Sequence, residues 1–220
     1  MEKSIKQEGN QNNHLAEKAP AIAKHSTDKQ RLVVAITGAS GVILGIRLLE
    51  LARELTLETH LVVSPAARLT IKQETNLPIE EVLRLADVVH SYGDIAACIA
   101  SGSFKTHGMV VIPCSIKTLS GIANSYAEDL ITRAADVTLK EGRPLVLVVR
   151  EAPLHRGHIR LMQLACDAGA IIFPPVPAFY ASPTDIDTIV TNIAGRVLAR
   201  LGFDNQQYTH WTGLTNPDDV

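Results

Sequence analysis

From Arg31 onward, short aliphatic runs alternate with longer stretches whose apolar residues recur at helical spacing. Six runs read as buried strands: Leu32–Ile36, His60–Val63, Asp87–His90, Met109–Ile112, Leu145–Val149 and Ala170–Phe173. Between them, amphipathic periodicity predicts helices over Val42–Glu54, Pro65–Glu74, Ile79–Ala86, Lys117–Ala123, Glu128–Glu141 and His155–Asp167. A last helix is expected from Pro183 to Leu201, opened by proline and stopped at Gly202. Strands that are apolar throughout and alternate with helices imply a parallel sheet covered on both faces, so the fold class is α/β, doubly wound.

The ends of the chain have a different character. Residues 1–30 are rich in Lys, Gln, Asn and His without an apolar run, which predicts a disordered tail rather than a secretory signal. The α/β domain is expected over 31–203. A polar C-terminal tail over 204–220 carries Tyr208 and the only tryptophan, Trp211, and is expected to dock on its own core or on a neighbouring subunit.

Composition narrows the function classes. A chain of 220 residues can bury one sizeable core. A net charge of −2 and a pI near 6.4 leave no nucleic-acid footprint. No apolar stretch approaches the roughly 20 residues of a membrane span. Cys98, Cys114 and Cys166 are odd in number and lack metal-ligand spacing, which argues for a reducing, cytoplasmic setting and against a disulfide framework or zinc site.

Candidate chemistry gathers where strands end. In an open parallel sheet, ligands bind beyond the carboxyl ends of the strands. The first strand runs into Thr37-Gly38-Ala39-Ser40-Gly41 and a helix, a turn whose free amides suit a phosphate. Ser64 ends the second strand. Pro113-Cys114-Ser115-Ile116-Lys117-Thr118 follows the fourth, and Arg150-Glu151-Ala152-Pro153 follows the fifth. Ile43 stands where a dinucleotide fingerprint of short-chain dehydrogenases needs glycine, no tyrosine is followed four residues later by lysine, and a Walker loop is missing. A mononucleotide or other phosphate at Gly38–Gly41 is what survives.

These segments together resemble the flavin prenyltransferases of the UbiX type, including those paired with phenolic-acid decarboxylases. The resemblance runs over about residues 31–214 and rests on Thr37–Gly41, Ala100–Phe104, Pro113–Leu119, Arg133–Asp136, Lys140–Pro144, Arg150–Pro153, Pro177–Tyr180 and Trp211–Leu214. It implies a flavodoxin-like, Rossmann-type flavoprotein fold, assembled as a homododecamer of trimers. The implied activity joins a dimethylallyl group from dimethylallyl phosphate to N5 and C6 of reduced FMN. The product, prenylated FMN, serves a UbiD-type decarboxylase.

The resemblance also implies roles for residues. Gly38, Ala39 and Ser40 with Ser64 would hold the FMN phosphate, while Ser115, Ile116, Lys117, Thr118 and Arg150 would contact the flavin. Tyr180 and Arg196 would bind dimethylallyl phosphate, with Lys140 as a further cationic contact. Glu151 would be the acid/base group, and Arg133 and Trp211 would surround the reacting flavin. These residue types suit the chemistry. Expelling an allylic phosphate calls for cationic and phenolic donors, a developing allylic cation for a dry aromatic wall, and ring closure for a positioned carboxylate. The resemblance implies no metal, and no Asp-rich magnesium motif is present.

Three positions depart from the family pattern: Val149 replaces a common proline, Leu161 replaces an amide, and Leu44 stands where an aromatic is frequent. They bear on flavin packing more than on reaction type. Simpler readings stand beside the functional ones. Cys114 reads as a small buried hydrophobe, and Asp94, Asp129 and Asp136 as caps or ion-pair partners. Lys140 and Arg143 also fit solvated face charges. His155 and His158 have a ligand-like spacing but no evident third ligand. Two other classes remain open: an FMN carrier without prenyl transfer, and a flavin-dependent cysteine decarboxylase, whose early-loop histidine this chain lacks.

Overall fold

A computed structural model describes residues 29–213; the predicted tail over 1–30 falls almost wholly outside them. Six parallel strands, β1 (Arg31–Ile36), β2 (Glu58–Val63), β3 (Val88–His90), β4 (Gly108–Cys114), β5 (Leu145–Val149) and β6 (Ile171–Ile172), form one sheet. Their order is β3-β2-β1-β4-β5-β6. Sequence order reverses between β1 and β4, so the crevice for a ligand opens there.

Side chains along each strand alternate between two cores. Leu32, Val34 and Ile36 of β1 and Val146 and Val148 of β5 pack under α1 (Val42–Glu54), α2 (Pro65–Glu74), α3 (Ile79–Leu83) and α7 (Ile186–Arg200). Val33, Ala35, Leu145, Leu147 and Val149 face α4 (Ile116–Ala123), α5 (Leu130–Lys140) and α6 (Arg156–Asp167). Both faces of the sheet are therefore covered, and the strands need no polar face. Gly45 lets α1 lie directly on β4, because a Cβ there would come within 2.5 Å of the Ile112 carbonyl oxygen.

The element ends refine the expectations. The last helix starts at Ile186, not Pro183, because Asp185 caps it by accepting from the Thr188 amide at 2.7 Å. The fifth helix starts after Asp129, where a capping box with Thr132 satisfies amides at its end. The sixth strand shrinks to two residues at the sheet edge, and the third helix stops at Leu83. Two short 3-10 turns, Cys98–Ala100 and Phe179–Ala181, have no counterpart in the sequence reading. Within the described part of the C-terminal segment, 204–213, residues contact their own chain. Asn205 is buried and donates to the carbonyls of Gly195 and Phe203, and Trp211 meets Tyr180 edge-on at 5.4 Å between ring centroids.

Candidate flavin site

The crevice is built from strand ends. Thr37, fully buried, donates its hydroxyl to the Pro113 carbonyl at 2.7 Å and accepts from the Ser115 amide at 2.8 Å. This joins the ends of β1 and β4 at the reversal point. Ser64 and Ser115 are the caps of α2 and α4, accepting from the Ala67 and Thr118 amides respectively. Three helix N-termini, those of α1, α2 and α4, thus open at one edge of the sheet, where backbone amides and aligned dipoles favour an anion.

A cavity of about 450 Å³ lies among them, lined by Gly38, Ser64, Pro65, Ala66, Tyr92, Ser115, Ile116, Lys117, Thr118 and Glu151. Gly38 is required by close approach: a Cβ there would fall 2.3 Å from that of Ala66. Seven residues named from sequence meet here: Gly38, Ser64, Ser115, Ile116, Lys117, Thr118 and Glu151. Ala39 and Ser40 continue the loop from Gly38, and the Arg150 amide donates to the Cys114 carbonyl at the end of β4. Glu151 is exposed in the single chain. Its carboxylate accepts from the adjoining Ala152 amide at 3.0 Å.

Other named residues stand apart from this cavity. Arg133 donates to Asp136 at 2.9 Å and to the Ala100 carbonyl. Lys140, seven residues and so about 10 Å further along α5, is paired with Glu141 at 2.7 Å. It closes the helix that leads into the start of β5, at the sheet edge opposite the crevice. Tyr180 and Trp211 touch each other and remain about half exposed. Arg196 is exposed, with its guanidinium 5.8 Å from the Phe173 ring centre. A single chain therefore does not bring the full set to one point. Asp136 is an ion-pair partner and Asp129 a cap, in line with their simpler readings. Burial pushes the Cys114 thiol far above its usual range, as befits a packed, unreactive side chain. His155 spends Nδ1 capping α6, accepting from Gly157, which removes that nitrogen from a metal pair with His158. Leu44 and Val149 are buried and Leu161 packs partly into the second core, so all three departures lie in packed positions.

Two groups at the site escaped the sequence reading. Glu74, at the end of α2, accepts from the Gly41 and Val42 amides at 2.8 and 3.3 Å and so covers the N-terminus of α1. Burial works to raise its pKa, but hydrogen bonds from Ser40, Gly41 and Val42 and the field of Arg150 outweigh it and hold the carboxyl below its usual range. Tyr92 donates to Asp129 at 2.5 Å and accepts from Lys117 at 3.2 Å, fixing one cavity wall. Burial and then the Asp129 contact raise the Tyr92 pKa, while the Tyr92 contact raises that of Lys117. Tyr92 therefore stays a neutral phenol and Lys117 a cation.

Comparison with known proteins accords with this geometry. The Flavoprotein family model matches residues 20–198. The flavin prenyltransferase UbiX of Escherichia coli strain K12 is 55% identical over 187 residues, covering 84% of this chain and 99% of that protein. A crystal structure of AnUbiX (PadA1) in complex with FMN and dimethylallyl pyrophosphate superposes with a TM-score of 0.83 at 48% identity, over 84% of this chain and 99% of that one. A dodecameric FMN-dependent UbiX-like decarboxylase from Escherichia coli O157:H7 gives 0.81 at 48% identity, over 84% and 100%. With the fold of these structures, and 55% of its aligned residues identical to those of the Escherichia coli K12 protein, the chain belongs to the UbiX-type flavin prenyltransferase family.

Proposed function

We propose that this chain transfers a dimethylallyl group from dimethylallyl phosphate to N5 and C6 of reduced FMN, in the cytoplasm, and that a UbiD-type decarboxylase uses the product. The observation that carries the reading is the convergence of three helix N-termini, the Ser115–Thr118 segment and Glu151 on one crevice. The site residues fit a flavin phosphate: Gly38 leaves room that any Cβ would fill, and the starts of α2 and α4 with the Ser64 hydroxyl supply donors, while Glu74 takes the amides that open α1. Lys117 and Thr118 present polar groups to the flavin ring, and Arg150 supplies positive charge beside them.

Reduced FMN supplies the nucleophilic N5 and C6. The chain must hold it, exclude water and move protons. Breaking the allylic C–O bond leaves its electron pair on phosphate, so Arg196, Lys140 and Tyr180 serve by neutralising and protonating the leaving group. Ring closure removes a proton from C6 and adds one to the allylic double bond. Glu151, a carboxyl in the cavity wall, suits both transfers because it takes one proton and returns one. Arg133 and Trp211 complete the wall around the reacting ring. Since Arg133, Lys140, Tyr180, Arg196 and Trp211 lie outside the crevice of their own chain, they act on the crevice of a neighbouring copy within a homo-oligomer, with a dodecamer as the expected assembly.

The test is direct. Incubation with reduced FMN and dimethylallyl phosphate, followed by mass spectrometry, is expected to give a flavin heavier by one isoprene unit. Recovery of unchanged FMN from protein that binds it tightly would instead make the chain an FMN carrier.

A further inference from the structure

Three side chains without a part in the flavin chemistry converge at the outer side of the sheet. They are His60 on β2, His90 at the end of β3, and Cys98 on the 3-10 turn Cys98–Ala100. One donor atom from each lies within 4.8 Å of the other two. The β2–β3 register sets His90 beside Val62, two residues from His60, so both imidazoles project from the same face. Their planes are inclined by only 13°, and His60 Nδ1 lies 2.9 Å from His90 Nε2.

His60 is the organised member. It is 3% exposed and is held edge-on by Phe104 at 5.1 Å. Its far nitrogen, Nε2, is 3.0 Å from a Glu58 carboxylate oxygen that also accepts from Arg31 Nε at 2.9 Å. A carboxylate there takes the Nε2 proton as a hydrogen bond and leaves the Nδ1 lone pair facing His90 and Cys98. A carboxylate behind an imidazole is how proteins orient histidine ligands and raise their basicity. Two imidazoles and one thiolate form a borderline-soft donor set, suited to Zn²⁺ in a tetrahedral arrangement. Cys98 is exposed on its turn, which leaves the fourth position to water and an open path for entry. With Zn–N bonds of about 2.0–2.1 Å, tetrahedral ligands stand roughly 3.3 Å apart, so the imidazoles need separate by only a few tenths of an ångström.

We propose that His60, His90 and Cys98 form a zinc-type metal site, with Glu58 as its positioning residue. The ion would tie the edge strand β3 and the 3-10 turn to β2, and the segment between His90 and Cys98 carries Tyr92, a wall of the flavin cavity. On binding, the Cys98 thiol gives its proton to solvent. A pair of hydrogen-bonded imidazoles that merely fills space under Phe104 would give Cys98 no such part.

Cobalt(II) is the first probe, because a thiolate ligand gives it a charge-transfer band that imidazoles alone do not. Full-length protein stripped by a chelator is expected to bind one Co²⁺ in a tetrahedral site showing that band, and to exchange it for Zn²⁺. Cys98→Ser, an exposed change that leaves the core untouched, should abolish the band and weaken Zn²⁺ binding by about tenfold or more in competition with a chromophoric chelator. Glu58→Gln should keep the band and weaken binding by about 10–100-fold. A double His155→Ala, His158→Ala variant should leave the band unchanged. Absence of the band in the parent, or its persistence in Cys98→Ser, overturns the proposal.

Discussion

Glu74 shows how one side chain can govern a helix end. Its carboxylate receives the two amides that open α1, although it comes from the far end of the next helix. Its pKa is depressed in the folded chain, as are those of Glu58, which accepts from His60 and Arg31, and Asp87, which accepts from Thr59. For each, burial pushes upward and hydrogen bonds pull further down. A depressed folded pKa means that the stability contributed is fully present above the unfolded value and is lost as pH falls through the folded one. Urea midpoints should therefore hold from neutrality to about pH 5 and fall below it. Glu74→Gln should cost about 0.5–2 kcal/mol at pH 7, the scale of a lost helix cap, and should make the acid-side fall shallower. An unchanged acid-side slope would mean that Glu74 carries none of it. For Glu151 the expectation is kinetic. Glu151→Gln should bind FMN like the parent but form the fourth ring about 10²–10⁴-fold more slowly, as read by quenched-flow mass spectrometry. Prenylated FMN made at the parental rate would reduce Glu151 to a strand-end polar group.

At the scale of elements, what could be read from sequence follows from burial. Strands covered on both faces are apolar throughout, so β1, β2, β4 and β5 stand out, and β5 agrees to the residue at both ends. Their polar ends could be read for the same reason, since Ser64, Ser115 and Glu151 interrupt apolar runs. Ends decided by side-chain capping were harder: Pro183 looked like a start, but the Asp185 bond to Thr188 begins α7. Glu74 and Tyr92 were illegible because their partners lie on other elements: Glu74 reaches the start of α1, and Tyr92 reaches Asp129 before α5. An acid at the end of an amphipathic helix otherwise resembles a solvated one. The cluster of His60, His90 and Cys98 escaped likewise, since its ligands are 30 and 8 residues apart and only strand pairing joins them. The packing of loop on helix predicts a further outcome. In Gly38→Ala, the added Cβ meets Ala66 and must push α2 away from the β1 loop. Overpacking of this kind costs about 1–3 kcal/mol. Flavin fluorescence titration should also show weakened FMN binding. Parental affinity in a stable variant would sever this contact from the phosphate site.

The whole molecule carries its unfinished chemistry on its surface. Val176, Phe179, Ile186 and Trp211 are each at least 60% exposed, near Tyr180 and the start of α7. Apolar groups this prominent suit contact with another copy. Light scattering should find a large homo-oligomer, and a monomer that still binds FMN tightly would contradict a shared site. Arg196→Ala should impair use of dimethylallyl phosphate while leaving FMN affinity near the parental value; equal loss of both would make Arg196 a structural residue. Chains carrying Glu151→Gln and Arg196→Ala, each impaired separately, should regain part of the activity when assembled together, because some crevices would then combine intact halves. No recovery from proven mixed oligomers would return both groups to one chain.

The strand order has a consequence for how such a chain is made. β1 pairs with β2 soon after both exist, yet its other neighbour is β4, with Leu32 opposite Gly108, 76 positions later. At synthesis rates of about 5–20 residues per second, one edge of a strand that is apolar from Leu32 to Ile36 waits roughly 4–15 s for its partner to be made. During that interval the end of β1 that will border the flavin crevice is an unprotected edge, open to pairing with another nascent chain. Slow synthesis between β3 and β4, or crowding of translating ribosomes, should therefore reduce the yield of folded protein without altering a single native contact.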